Sequence, residues 1–149
     1  MRLWFLEWVA PRRDFFVLKC APLSMLGPNT LVFLVTISLW AVVHFIALEL
    51  YLYWHYVWFD LPMHIIGGAA SILGVYSFAE LRVPLFAHLK AALPLFVFLI
   101  FVMVAWEVFE VWAGIPMLDN YRLDTTIDIL MGFVGGIIGY VVAKRLDTL

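Results

Sequence analysis

The chain has 149 residues, of which 66% are hydrophobic and only 13% charged, with a formal net charge of −2 and a mean hydropathy of +1.03. An average soluble domain is about 25% charged, so this composition cannot cover a water-soluble surface, and the slight negative balance points to no polyanionic partner such as nucleic acid. A single cysteine, Cys20, excludes an internal disulfide and a cysteine metal cluster. The expectation is an all-α integral membrane protein.

Residues 1–29 come first and differ from the rest. "MRLWFLEWVA" is too short to span, contains Glu7, and is stopped by Pro11, Arg12 and Arg13. It lacks the uncharged core and small-residue cleavage site of a signal peptide. Trp, Phe and Leu mixed with Arg and Lys suit an amphipathic segment lying in the membrane interface, read as an anchoring arm with a functional lid as the alternative. Residues 30–149 then form a transmembrane domain of four apolar runs, about 30–52, 60–81, 91–113 and 125–143. Each run of about 19–24 residues crosses a hydrocarbon core of roughly 30 Å at 1.5 Å per residue. The linkers "YWHYVWF", "RVPLFAHLK" and "GIPMLDNYR" separate them, and no repeat or low-complexity stretch appears.

The basic residues orient these helices. Arg2, Arg12, Arg13, Lys19, Arg82, Lys90, Lys144 and Arg145 fall on one side, and Arg122 alone on the other. That bias predicts a four-helix bundle with both termini in the cytoplasm, in the plasma (inner) membrane of the cell. Tyr51, Tyr53, Trp54, Tyr56, Trp58, Trp112 and Tyr121 would form an outer aromatic belt.

Within that topology, every span places ionisable groups in its outer half. The first carries His44 and Glu49, the second Asp60 and His64, the third Glu107 and Glu110, and the fourth Asp124 and Asp128. A charge at the centre of a membrane helix costs about 2.5–3.5 kcal/mol, and clustered carboxylates repel unless they are protonated or share a cation. Glu107 and Glu110, three residues apart, share one helix face and are expected to meet Asp60, His64, Asp124 and Asp128 inside the bundle. His64, Glu107, Glu110 and Asp128 are the candidate metal ligands. Oxygen donors with an imidazole suit Mg²⁺, Mn²⁺, Ca²⁺ or iron, with Zn²⁺ also admissible. Asp60 or Asp124 is the candidate general base, and Arg122 the group that would meet an anionic head group.

Each residue also has a plainer reading. Glu49, Asp60 and Asp124 would sit in wet interface, the two aspartates near helix N-termini where negative charge is favourable. His44 reads as a packing residue and His55 as part of the aromatic rim. Glu80 and His88 would pair with Arg82 and Lys90. The deeper acids and His64 would be polar glue between helices. The glycines of "GFVGGIIG" and the stripe Gly67, Ala70, Ser71 and Gly74 read as close-packing surfaces. Space for a substrate chain at Gly67 and Gly68 is the alternative.

The stretches "DLPMHIIGG", "EVFEVWAG" and "LDTTIDILMGFVGG" carry a resemblance. Asp60, His64, Gly68, Glu107, Glu110, Asp124, Thr125 and Asp128 match, in order, the pattern of the YjdF-like family of small bacterial membrane proteins. The layout is more loosely similar to VanZ-like proteins, associated with glycopeptide resistance. It departs from them at Glu110, where glutamine is usual, and in lacking an asparagine one turn after Asp128. The resemblance covers about residues 60–140 and implies the same topology without supplying a reaction.

Three classes of function fit this reading. The first is a metal-dependent hydrolase or transferase acting on lipid or lipid-linked substrates at the outer face. The second is a proton- or cation-linked binding or transport protein, for which homo-oligomerisation would supply the missing inner path. The third is a structural protein whose polar network fixes the bundle. In all three the lipid bilayer is the immediate partner.

Overall fold

The computed structural model describes residues 26–115 and 120–148. The interfacial segment expected over residues 1–29 falls, as far as residue 25, outside the described residues. The described chain is helical: α1 (Pro28–Glu49), α2 (Leu52–His55), a 3-10 turn (Val57–Phe59), α3 (Asp60–Glu80), α4 (Pro84–Leu89), α5 (Ala92–Ala113) and α6 (Tyr121–Leu146). Among the described residues there is no strand. Four segments are long and apolar enough to cross a membrane: Pro28–Glu49, Val57–Glu80, Ala92–Ala113 and Tyr121–Leu146.

Local chemistry explains where these helices begin and end. Pro28 occupies the first turn of α1, where its missing N–H costs nothing. The helix stops at Glu49, three residues before the expected limit, because Tyr51 takes a left-handed conformation (φ 54°) that turns the chain. The aromatic linker then coils into α2 and the 3-10 turn instead of running as a loop. α5 ends on Gly114 (φ 69°), and the Ile115 N–H donates back to the Glu110 carbonyl at 3.1 Å, a glycine-terminated cap. α6 starts four residues earlier than expected, because Asn120 caps it by accepting from the Leu123 N–H at 3.3 Å.

α3 is the central helix: 56% of its most apolar window is buried, against 11% for α1 and 22% for α5. It packs most extensively on α6 and next on α1, while α5 touches it sparsely. The α3–α6 contact is backbone on backbone. A Cβ built at Gly68 would strike the Gly132 carbonyl, one at Gly135 the Ile65 carbonyl, and one at Gly139 the Ala69 carbonyl. Glycine is therefore required there by the closeness of the two helices. A hydrophobic core of Ile72, Leu73, Val75, Tyr76, Leu99 and Met103 fills the space beside this seam.

At the opposite end of α3 from His64, one expectation is corrected. Glu80 does not pair with Arg82 or Lys90. Its carboxylate accepts from the Asn29 N–H (3.0 Å), the Thr30 N–H (2.8 Å) and the Thr30 hydroxyl (2.7 Å). α1 has no side-chain cap of its own, and its unsatisfied N–H groups and positive dipole end attract the carboxylate. Lys90 instead reaches Asp147 at 2.5 Å and lies over the Tyr76 ring.

Replacing Gly135 by Ala should therefore lower stability by about 1–3 kcal/mol, because backbone carbonyls cannot move aside. Gly67→Ala, whose new methyl would meet only Trp40 Nε1 at 3.6 Å, should leave the unfolding midpoint in detergent unchanged. Equal midpoints for the two variants would contradict the backbone seam.

Candidate functional site: a buried carboxylate and histidine cluster

The first two turns of α3 place Asp60 and His64 on one helix face, and Nε2 of His64 lies 3.3 Å from Oδ2 of Asp60. The last turns of α5 bring Glu110 Oε1 to 3.6 Å and Glu107 Oε1 to 3.9 Å from the same nitrogen. Asp128 enters from α6. The donor atoms of Asp60, His64 and Asp128 lie within 4.8 Å of one another, as do those of His64, Glu107 and Glu110. His64 is the member common to both groups. Three helices thus converge on one imidazole.

The cluster is shut away from solvent. His64, Glu107, Glu110 and Asp128 are all buried, Asp128 to 2% exposure, while the Asp60 side chain keeps 21%. Burial of this kind normally demands a hydrogen-bond partner for each polar atom. His64 Nε2 and Glu107 Oε1 have none, although carboxylate oxygens surround the nitrogen, and the buried Thr125 hydroxyl has none either. Glu110 is held from its own helix, accepting from Trp106 Nε1 at 2.6 Å.

α1 contributes aromatic rings here and no acid. Glu49 is exposed and stays outside the cluster, so three of the four spans, not all four, supply the acidic groups. Trp40 donates to the Met63 carbonyl at 3.3 Å, stacks on His44 and meets Trp106 edge-on. His44 is a packing residue, as its surroundings in the sequence suggest, and shares a 2.8 Å hydrogen bond with the Tyr53 hydroxyl. Tyr53 is therefore no part of an exposed rim. It is buried beside Ala47 and Met63, and burial, followed by the charges of Asp60 and Glu110, pushes its hydroxyl above the ordinary phenol range. Its neighbours Tyr51, Trp54, Tyr56 and Trp58 are exposed.

Of the residues singled out from the sequence, the structure gathers Asp60, His64, Glu107, Glu110 and Asp128. Asp124 stands half-buried one turn before Asp128 on α6 and outside the shared donor set. Arg122 is exposed in the first turn of α6, its carbonyl accepting from the Thr126 hydroxyl at 2.6 Å. The sequence assigns no site role to Trp40 or Trp106 and places Tyr53 in the outer belt. Only Trp106 leaves a signal, since its four-residue spacing from Glu110 places indole and carboxylate on one face.

Comparison with models of known protein families, with curated proteins and with solved structures finds no match for this chain. The chemistry of the cluster is accordingly read from its own atoms. An imidazole nitrogen and several carboxylate oxygens, convergent and largely buried, are donors of the kind that could hold a hard or borderline divalent cation.

Tyr53→Phe leaves a buried His44 nitrogen unpaired and should cost about 1–3 kcal/mol of stability. Tyr51→Phe, at an exposed position, should cost nothing measurable in the same denaturation assay.

Proposed function

We propose that this chain is a multi-pass protein of the plasma (inner) membrane that binds one divalent metal ion and acts as a hydrolase or transferase on lipid or lipid-linked substrates. Both termini lie in the cytoplasm and the site faces outward in this reading, because the linkers beside the cluster carry a single basic residue, Arg122. The observation that carries the proposal is His64 Nε2, buried within 4 Å of carboxylate oxygens on two helices and hydrogen-bonded to none of them. A ring nitrogen set among carboxylate oxygens on two helices is where a cation shared between them would sit. His64 lies close enough to Glu107 and Glu110 to share an ion with them and meets Asp128 beside Asp60; in this reading His64, Glu107, Glu110 and Asp128 would hold Mg²⁺, Mn²⁺, iron or Zn²⁺.

When bound, such an ion polarises a phosphoryl or acyl oxygen and acidifies water. The protein's own residues then divide the remaining tasks. Asp60 is the most accessible carboxylate of the cluster and is placed to take a proton from an attacking water. Trp106 fixes the Glu110 carboxylate by its indole N–H, and Asp124 stands behind Asp128 as a further proton acceptor. Arg122, exposed at the start of α6, is free to meet an anionic head group at the membrane surface. The residues that carry the resemblance to the YjdF-like and VanZ-like families are largely those that meet here, which supports treating the cluster as the centre of function.

A second reading also has an observation behind it. The same groups lie close enough to share protons among themselves, which would suit a proton- or cation-linked transporter or a purely structural network. The space leading away from His64 is lined almost wholly by apolar side chains, which argues against an ion path.

Elemental analysis of the detergent-purified protein tests the proposal. Near-stoichiometric metal in the wild type should be lost from Glu107→Gln and Asp128→Asn, with helicity and elution volume retained. A folded wild type that takes up none of the four metals on addition would overturn it.

A further inference from the structure

A cavity of about 320 Å³ lies between α1, α3 and α5, with His64 in its wall at one end and Phe78 and Phe86 at the other. From His64 to Phe78 the axis of α3 runs about 21 Å at 1.5 Å per residue, roughly two-thirds of a ~30 Å hydrocarbon core. Its volume falls at the lower end of the ~300–1,000 Å³ typical of small-molecule sites.

The cavity exists because two kinds of small residue on α3 meet different neighbours. Gly68 is consumed by the backbone seam with α6. Gly67, Ala70, Ser71 and Gly74 line the open space instead, with Gly67 and Gly74 turned toward Trp40 and Phe33 of α1. Phe33 and Ile37 of α1 and Val102 of α5 complete its sides.

The polar groups on this lining are already engaged, with one exception. Trp40 donates to the Met63 carbonyl, Trp106 to Glu110, and Ser71 to the Gly67 carbonyl. The exception is His64, 4% exposed, which forms one end of the lining while its unpaired Nε2 lies enclosed among the carboxylates behind it. An occupant therefore finds hydrocarbon along the length of the cavity, with the polar cluster just beyond its His64 end. That is the profile of an amphiphile with a single chain inserted and its head at the His64 end.

We infer that the α1–α3–α5 cavity seats one hydrocarbon chain of a phosphate-bearing lipid, with the phosphate at the His64 cluster. The inference rests on the metal-site reading, because a phosphate meets bare carboxylates unfavourably and a bound cation favourably. A phospholipid and a prenyl phosphate present this same chemistry.

The test uses the full-length protein in detergent, loaded with Mn²⁺, and hexadecyl phosphate carrying a diazirine in its tail. Photolabelling should be saturable and should map to peptides containing Ile37 and Val102. Excess lysophosphatidic acid or farnesyl phosphate should compete it away, and whichever competes better identifies the source of the chain. Ser71→Phe and Val102→Phe, which fill the cavity from opposite walls, should each reduce this labelling at least tenfold while retaining wild-type metal content. Labelling that does not saturate, spreads over outward residues such as Leu93 and Phe101, or survives both substitutions in folded protein would overturn the chain site. If the wild type binds no metal yet labels saturably inside the cavity, the metal reading and the placement of the phosphate at the cluster both fail, and only the seat for the chain stands.

Discussion

A carboxylate surrounded by hydrocarbon has no water to stabilise its charge, and this constraint organises the end of the molecule that matters most. Four acids on three helices cannot each find a private partner in lipid, so they gather around the imidazole of His64. The positions of α3, α5 and α6 at that end follow from the meeting. The aromatic rings of Trp40, His44, Tyr53 and Trp106 close around it and keep the surrounding medium apolar, which strengthens every electrostatic contact inside.

α3 serves two neighbours in opposite ways. Toward α6 its glycines remove side chains so that backbones touch, and on the other side its small residues meet only aromatic rings of α1 and leave open space between α1 and α5. One helix thereby provides both the tightest contact and the main void, with His64 within a turn of each. Rigidity on one side steadies the histidine, while the other side leaves room for something to approach it.

Much of this was legible in the sequence. Four long apolar runs could only be spans, because nothing else at this composition keeps its backbone satisfied away from water. The acids and His64 announced themselves by their cost at that depth, and the structure gathers Asp60, His64, Glu107, Glu110 and Asp128 as their spacing suggested. What escaped reading depends on partners distant in the chain. Tyr53 looks identical in sequence to its exposed neighbours, and only the turn at Tyr51 sends it inward to His44. Glu80 has basic residues close by in sequence, yet helix N–H groups some fifty positions away hold it. Which small residues pack and which line space depends on how closely α1, α5 and α6 each approach α3, distances that no periodicity encodes.

The cap that Glu80 places on α1 also bears on how the chain is made. Asn29 and Glu80 are 51 positions apart, so a ribosome working from the N-terminus releases the start of the first span well before the residue that completes it. At about 5–20 residues per second, that interval is roughly 3–10 s. During it the first helix must keep its uncapped end among head groups and water, where its N–H groups find other partners. It can settle against α3 only after the second span has been threaded across, which makes assembly of the first two spans a single, ordered event of membrane insertion.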